Sequence, residues 1–540
     1  MTFPRLASRL LAALVIGHSA LVIPVEVRAA DFDLATATIA DIHAATDAGA
    51  LSSEKLVSLY LARIAAYDQQ GPSINSIITV NPQALATARA LDAERLGTGR
   101  RSALHGIPVV VKDLINTADL PTTGGFIALK GAIPARDAHV IAKLRAAGAI
   151  ILAKTNMSDW LGKSRPDGGS SIAGQVLNPY DLTRTVAPSS SGTGASLAAW
   201  FATVGLGSET GTSIRNPTTD GSLAGLAPTE GLVGRDGSMA NTFTHERIGP
   251  MARNTHDLAV LLDHLTGIDG GDLVTMAMLP HARTSSYTTA LAPSGLRGAR
   301  VGVLREMFRS GPAHAEGLAL TEKAVLDLHR AGAVVLDPVL LGLNLDRTRL
   351  LKVNYWESNV VLDRYFADFG PNAPFRSVRE MVAKFPDLVK PSFAEYAAYS
   401  PGPDPEYQGR LAGRAALRAA VVELMDRHGL EAVVFPYKTL PAQKRGVRGE
   451  GASADPLNAF VRDGDRVSPS DNYLSSMTGL PGLVVPMGYT AEGAPLGLEF
   501  LGRPFSEATL IKLASGYEAT TRHRRQPAST PALPGEKFSY

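Results

Sequence analysis

The feature that most restricts this chain is a unit that returns along it: a helical stretch, an Ala-Gly or His-Gly break, then an apolar β-branched run. Its copies are VIAKLRAAGAIILAKTN from Val140, AVLDLHRAGAVVLDPV from Ala324 and VVELMDRHGLEAVVFPY from Val421. A glycine just past a helix suits a left-handed cap, and the run behind it is strand-like. Alternation of this kind implies an α/β fold with a mixed, largely parallel central sheet covered by helices on both faces. The copies are spaced too irregularly for a solenoid, so they read as parts of one fold. Such a sheet needs a large core, and 540 residues of which 45% are apolar supply it.

Two further stretches extend the pattern. LSSEKLVSLYLARIAAYDQ places Leu56, Leu59, Leu61 and Ile64 near helical spacing, with Ser52 or Ser53 as N-cap. HGIPVVVKDLI carries a short β-branched run between Gly106-Pro108 and Lys112, which reads as a buried strand. Around 337–430 the pattern breaks: Tyr355, Trp356, Tyr365 and Phe366 sit among prolines, as expected of a helical insertion that either covers a site or packs on the core. The last residues, 526–540, form a basic, proline-rich tail, expected to be disordered or to wrap the surface. The region 30–525 is read as a single domain.

The first 30 residues carry Arg5 and Arg9, an apolar run from Leu10 to Ile23, then Val27, Ala29 and Ala30. That order of basic, apolar and small-residue regions is expected of an export signal cleaved after Ala29, which implies a periplasmic or secreted protein. The run is shorter than the ~20 apolar residues of a membrane span, so no stable membrane insertion is expected once the signal is removed. There is no cysteine, so no disulfide framework is available. A formal charge of +2 gives no field to draw in nucleic acid, and a small-molecule substrate becomes the default partner. Oligomeric state is open, with a homodimer among the options.

The chemistry narrows by elimination. The twelve histidines are scattered, and His245-Glu246 has no second histidine four residues after the first, so neither a metal nor another cofactor is expected. No full phosphate-cradling Gly-x-x-x-x-Gly-Lys-Ser/Thr loop occurs. The elbow Gly-x-Ser-x-Gly is absent too, since the centre of GSETG is Glu209. SSEK at Ser52 and SDN at Ser470 mimic penicillin-recognising motifs. The first is a helix cap, however, and the third element is only KTL at Lys438, so both are read as coincidence.

Three separate segments make a better constellation. Lys112 closes an apolar strand, where burial disfavours the charged amine and leaves a base near neutral pH. APSSSGTGAS, Ala187–Ser196, is a serine and glycine run that leads into the apolar LAAWFA. GSETGTSIRNP, Gly207–Pro217, crowds hydroxyls and glycines around Ser213.

Here the sequence resembles the amidase signature family. The residues that carry the resemblance are GIPVVVKDLI, NPYDLTRTVAPSSSGTGAS and GLGSETGTSIRNPTTDGSLAGLAPTEGLVGRDG, continued by IGPMARNTHDLAVLLDHLTG and GLPGLVVPMGYTAEGAPLGLEFLGRPF. It covers nearly everything from Ile39 to Glu518 outside the variable middle. The resemblance implies a serine amidase that cleaves C–N amide bonds without a cofactor. Its nucleophile falls on Ser213, its bridging serine on Ser189 and its base on Lys112. A serine can relay a proton because it both donates and accepts. Backbone N–H groups around Thr210, Gly211, Thr212 and Ser213 would then surround the oxyanion.

Several departures accompany the resemblance. Ala187-Pro188 stands where many members carry Gly-Gly, and the family's bridging serine follows a cis peptide, which implies a cis Pro188–Ser189 bond. Glu209 replaces an aspartate, and Thr212 a glycine. The SSSG and SETG variants are closest in style to bacterial peptide amidases, which implies a peptide-like or bulky amide as substrate. The family also contains the amidase component of tRNA-dependent amidotransferases, and an inactive amide-binding protein is a third reading. Arg215 is expected to form an inward ion pair with Glu209 or Asp220, or else to meet a substrate carboxylate. Ser190 and Ser191 either serve the site or satisfy backbone groups.

Overall fold

A computed structural model describes residues 30–163, 169–283, 285–391, 393, 402, 404–445 and 472–540. The expected export signal therefore lies outside the described residues, as does most of SDN. In chain order the strands are β1 (Asp31–Asp33), β2 (Ile77–Val80), β3 (Pro108–Lys112), β4 (Ile150–Thr155), β5 (Leu177–Asn178), β6 (Asp181–Thr185), β7 (Val204–Glu209) and β8 (Ala224–Ala227). They continue with β9 (Arg247–Ala252), β10 (Arg300–Leu304), β11 (Val334–Val339), β12 (Ala432–Pro436), β13 (Gly482–Tyr489), β14 (Pro495–Leu501) and β15 (Lys537–Ser539).

An eleven-stranded sheet, ordered β11-β10-β12-β14-β13-β8-β9-β7-β3-β4-β2, forms the centre. Every residue of β3, β4, β7, β9 and β12 is buried. Successive side chains point to opposite faces of a sheet, so unbroken burial means that both faces are covered. The sheet is mixed, as the repeated unit implies. Its parallel pairings form two blocks, β4-β3-β7 and β11-β10-β12, rather than running throughout. Between them β12, β14, β13, β8, β9 and β7 pair antiparallel, with β13 and β14 joined by a short hairpin.

The three repeated units fold as helix, glycine turn and strand. Helix His139–Ala146 reaches Gly148 (φ 86°) before β4, and helix Ala315–Arg330 reaches Gly332 (φ 89°) before β11. Helix Pro405–His428 is capped by Gly429 in the left-handed conformation before β12. Ser52 caps helix Ser53–Tyr67 by accepting from the Lys55 N–H at 3.0 Å, a capping role for the serine of SSEK.

The insertion supplies helices Asn354–Asp368 and Val378–Lys384 as well as Pro405–His428. Tyr365 and Phe366 join the main core, while the backbone N–H of Val353, just before the first of these helices, donates to His245 Nε2 at 3.3 Å. The basic tail is anchored: β15 pairs antiparallel with β1, and Glu536 forms a buried ion pair with Arg63 at 2.9 Å. No helix among the described residues is long and apolar enough to cross a membrane.

Candidate active site

The site forms where β3 and β7 lie side by side. Their parallel register pairs Val109 with Val204 and Val111 with Leu206, which brings Lys112 at the end of β3 beside Ser208 near the end of β7. Lys112 is fully buried, and its Nζ donates to Ser189 Oγ at 2.6 Å and Ser208 Oγ at 3.1 Å, with the Ser208 carbonyl at 3.4 Å. Burial lowers its amine from the usual range to about 7, even though the carboxylates of Glu246 and Glu209 pull the other way. A neutral amine at physiological pH can accept a proton.

Ser189 turns the chain into helix Ser191–Ala198 with φ at 120°, a region that L-residues seldom occupy. The cis Pro188–Ser189 bond expected from the family is not found: among the described residues the cis peptide is Asp337–Pro338. The turn is instead made at the Ser189 φ angle, which aims the hydroxyl at Lys112. Ser190 satisfies backbone groups. Its hydroxyl donates to the Ser208 carbonyl at 3.2 Å, and its N–H donates to the Ser213 carbonyl at 3.4 Å. That second bond lays the Ser189 turn against the Ser213 loop. Ser191 is buried at the start of the helix, and Gly192 next to it is required by close approach, since a Cβ there would lie 2.2 Å from the Asn156 carbonyl oxygen.

Ser213 is half-buried, in the turn between β7 and helix Arg215–Asp220. Among the described residues the backbone N–H groups of Gly211, Thr212 and Ser213 donate to no protein acceptor. Three donors without protein partners beside a half-buried hydroxyl are a ready receptor for an oxyanion. A Cβ on Gly211 would sit 2.6 Å from the Tyr473 ring, so the loop passes that ring only with glycine at this position.

A buried charge network fixes the loop from beneath. Glu209 accepts from the backbone N–H groups of Ile214 (3.0 Å) and Arg215 (3.1 Å) and pairs with Arg215 Nε at 2.9 Å and an Arg247 Nη at 2.7 Å. Burial pushes the Glu209 carboxyl up, and the two guanidinium groups more than offset this, leaving it below its usual value. Arg215 also meets Glu499 at 2.9 Å, and it donates to the Gly211 carbonyl at 2.8 Å and the Asn472 carbonyl at 3.1 Å. Its structural pairing was legible from sequence for Glu209. Asp220 instead pairs with Lys438 at 2.5 Å and accepts from the Ala187 N–H at 2.9 Å.

Sequence reasoning missed Ser208, Glu246 and Glu499. Ser208 was visible in GSETG, and the alternation of β7 could have turned it toward Lys112; the other two depend on strand neighbours distant in sequence. Among the described residues no group of three or more acidic or histidine side chains is placed to hold a metal ion.

The chain is similar to known proteins along most of its length. The family model Amidase matches residues 55–511. A probable amidase of Arabidopsis thaliana is 31% identical over 509 residues, covering 92% of each chain. A glutamyl-tRNA(Gln) amidotransferase subunit of Myxococcus xanthus is 33% identical over 500 residues, covering 89% of this chain and 96% of that one. Among solved structures, native peptide amidase from Stenotrophomonas maltophilia superposes with a TM-score of 0.81 at 35% identity, covering 92% of this chain and 99% of that one. With this match across its length and a mixed sheet of the same architecture, the chain belongs to the Amidase family and is a hydrolase of carbon–nitrogen amide bonds.

Proposed function

We propose that this amidase works through an acyl-enzyme on Ser213, with Ser189 as proton relay and Lys112 as base. Ser213 Oγ attacks the amide carbonyl carbon while its proton passes to Ser189 and the Ser189 proton passes to the Lys112 amine. The N–H groups of the loop from Thr210 to Ser213 receive the oxyanion. The C–N bond then breaks, and the leaving amine takes a proton from Ser189, which regains one from Lys112. Water attacks the ester through the same relay, releasing the acid and restoring Ser213. The observation that carries this reading is the fully buried Lys112 amine, held near neutrality, 2.6 Å from Ser189 Oγ.

A fluorophosphonate is expected to add its phosphonyl group to Ser213, located by peptide mass mapping. An active preparation that carries no adduct there would overturn the assignment. Because only the free amine can take the proton, kcat/KM should fall as pH drops through about 7. A flat profile from pH 5 to 9, measured with a slow substrate so that chemistry limits the rate, would count against Lys112.

A peptide-like amide is the proposed substrate class, supported by the likeness to peptide amidase over nearly the whole chain. The proposal places the mature enzyme in the periplasm or outside the cell, on the order of basic, apolar and small residues in its first 29 positions. The relatives that are glutamyl-tRNA(Gln) amidotransferase subunits favour one alternative, the amidase subunit of a tRNA-dependent amidotransferase. Cell fractionation with pull-down separates the two: a cytoplasmic protein held by a stable partner chain supports the alternative.

A further inference from the structure

His245-Glu246 lacks metal-ligand spacing, yet both residues are buried beside the catalytic loop, at 0% and 3% exposure. They grip Thr210 from two sides. The Thr210 hydroxyl donates to Glu246 Oε2 at 2.6 Å, and the Thr210 carbonyl lies 2.8 Å from His245 Nδ1. A carbonyl only accepts, so Nδ1 carries the ring proton, and Nε2 is left to accept from the Val353 N–H at 3.3 Å. Burial drives the imidazole well below its ordinary range, with Arg414 and Lys352 adding to the effect, so the ring stays neutral in this tautomer.

Val353 immediately precedes insertion helix Asn354–Asp368. A second thread runs the same way: Glu246 Oε2 accepts from the Asn241 N–H at 3.1 Å, and Ser358 on that helix donates to the Asn241 carbonyl at 2.9 Å and Oδ1 at 2.6 Å.

We propose that His245-Glu246 is a positioning clamp, which ties the loop carrying Thr210 and Ser213 to the first helix of the insertion and sets a buried carboxyl beside the catalytic centre. The proposal rests on the reading of the Ser213 loop as catalytic. Two carboxylates, Glu246 and Glu209, act on Lys112 electrostatically. Glu209 is neutralised by Arg215 and Arg247, whereas Glu246 forms no ion pair within 4 Å among the described residues and its Oε1 lacks a hydrogen-bond partner. Burial holds the Glu246 carboxyl above its usual value, against the opposing pull of Thr210, Asn241 and the charges of Lys112 and Arg235. When ionised it favours the ammonium form of Lys112, and the clamp thereby tunes the base as well as holding the loop.

Two variants test this, each followed by the pH dependence of kcat/KM and of the rate of fluorophosphonate addition to Ser213. Glu246→Gln keeps an acceptor for Thr210 and removes the charge. Its acid limb is expected to move to lower pH by about half a unit or more, because Lys112 loses an anionic neighbour. Thr210→Val removes the hydroxyl tether to Glu246 while the His245 bond to the Thr210 carbonyl stays, so kcat/KM should drop about tenfold. An unmoved limb in Glu246→Gln, or a wild-type rate in Thr210→Val, overturns the clamp. Failure of the catalytic reading is distinct, since the wild-type enzyme would then carry no adduct on Ser213.

Discussion

Replacing Lys112 by methionine is expected to abolish amide hydrolysis and, at neutral pH, to make the protein more stable. The amine sits at about 7 in the folded chain against 10.5 when exposed. Between those values the unfolded chain binds the extra proton, so wild-type stability rises with pH through that window and folding at pH 7 bears a cost of a few kcal/mol. Methionine has a similar volume and no charge to desolvate, so it removes most of that cost. Against this, Ser189 and Ser208 lose a polar neighbour. The net expectation is a gain of about 2 kcal/mol at pH 7 that falls as pH rises and becomes a deficit of about 2 kcal/mol by pH 10. Urea unfolding of both proteins across that range checks it. A variant that is less stable than wild type at pH 7 would show that the amine is held there as a cation.

The opposite outcome is expected for Arg215→Met. Arg215 lies at 0% exposure between Glu209 and Glu499, and it also donates to two loop carbonyls. Removing one partner of a buried ion pair leaves an uncompensated charge, which costs about 3 to 5 kcal/mol. A typical domain has only about 5 to 15 kcal/mol to lose. Burial already raises Glu499 to about 7; Arg215 opposes that rise and Glu209 adds to it. Without the guanidinium, Glu499 titrates higher still, and a protonated carboxyl is cheaper to bury. The deficit against wild type should therefore be larger at pH 8 than at pH 5.5, measured by denaturant unfolding. Equal deficits at the two pH values would mean that Glu499 keeps its charge through some other partner.

Much of this arrangement was legible along the chain. The β-branched run before Lys112, the serine-glycine run before a helix and the hydroxyl-rich turn around Ser213 are local patterns, and local patterns follow from backbone sterics and burial. The Pro188–Ser189 geometry was not legible in the same way. A cis bond and a left-handed φ are alternative ways to turn a chain, and the choice depends on what the turn packs against. The share of parallel pairing was overestimated for a related reason: helix-strand alternation marks the two outer blocks, whereas β8, β9, β13 and β14 pair through connections with no such signature.

The sequence by itself determined the layered α/β class, the buried strand that ends in lysine and the residue types of the site, because each depends on neighbours within a few positions. Only the tertiary structure decided which hydroxyls touch the lysine, that Arg215 is shared by Glu209 and Glu499, and that His245-Glu246 grips the loop from outside it. Those contacts join residues up to 284 positions apart. Burial and charge pairing at such separations are properties of the packed sheet, where the desolvation of one group depends on every element laid against it.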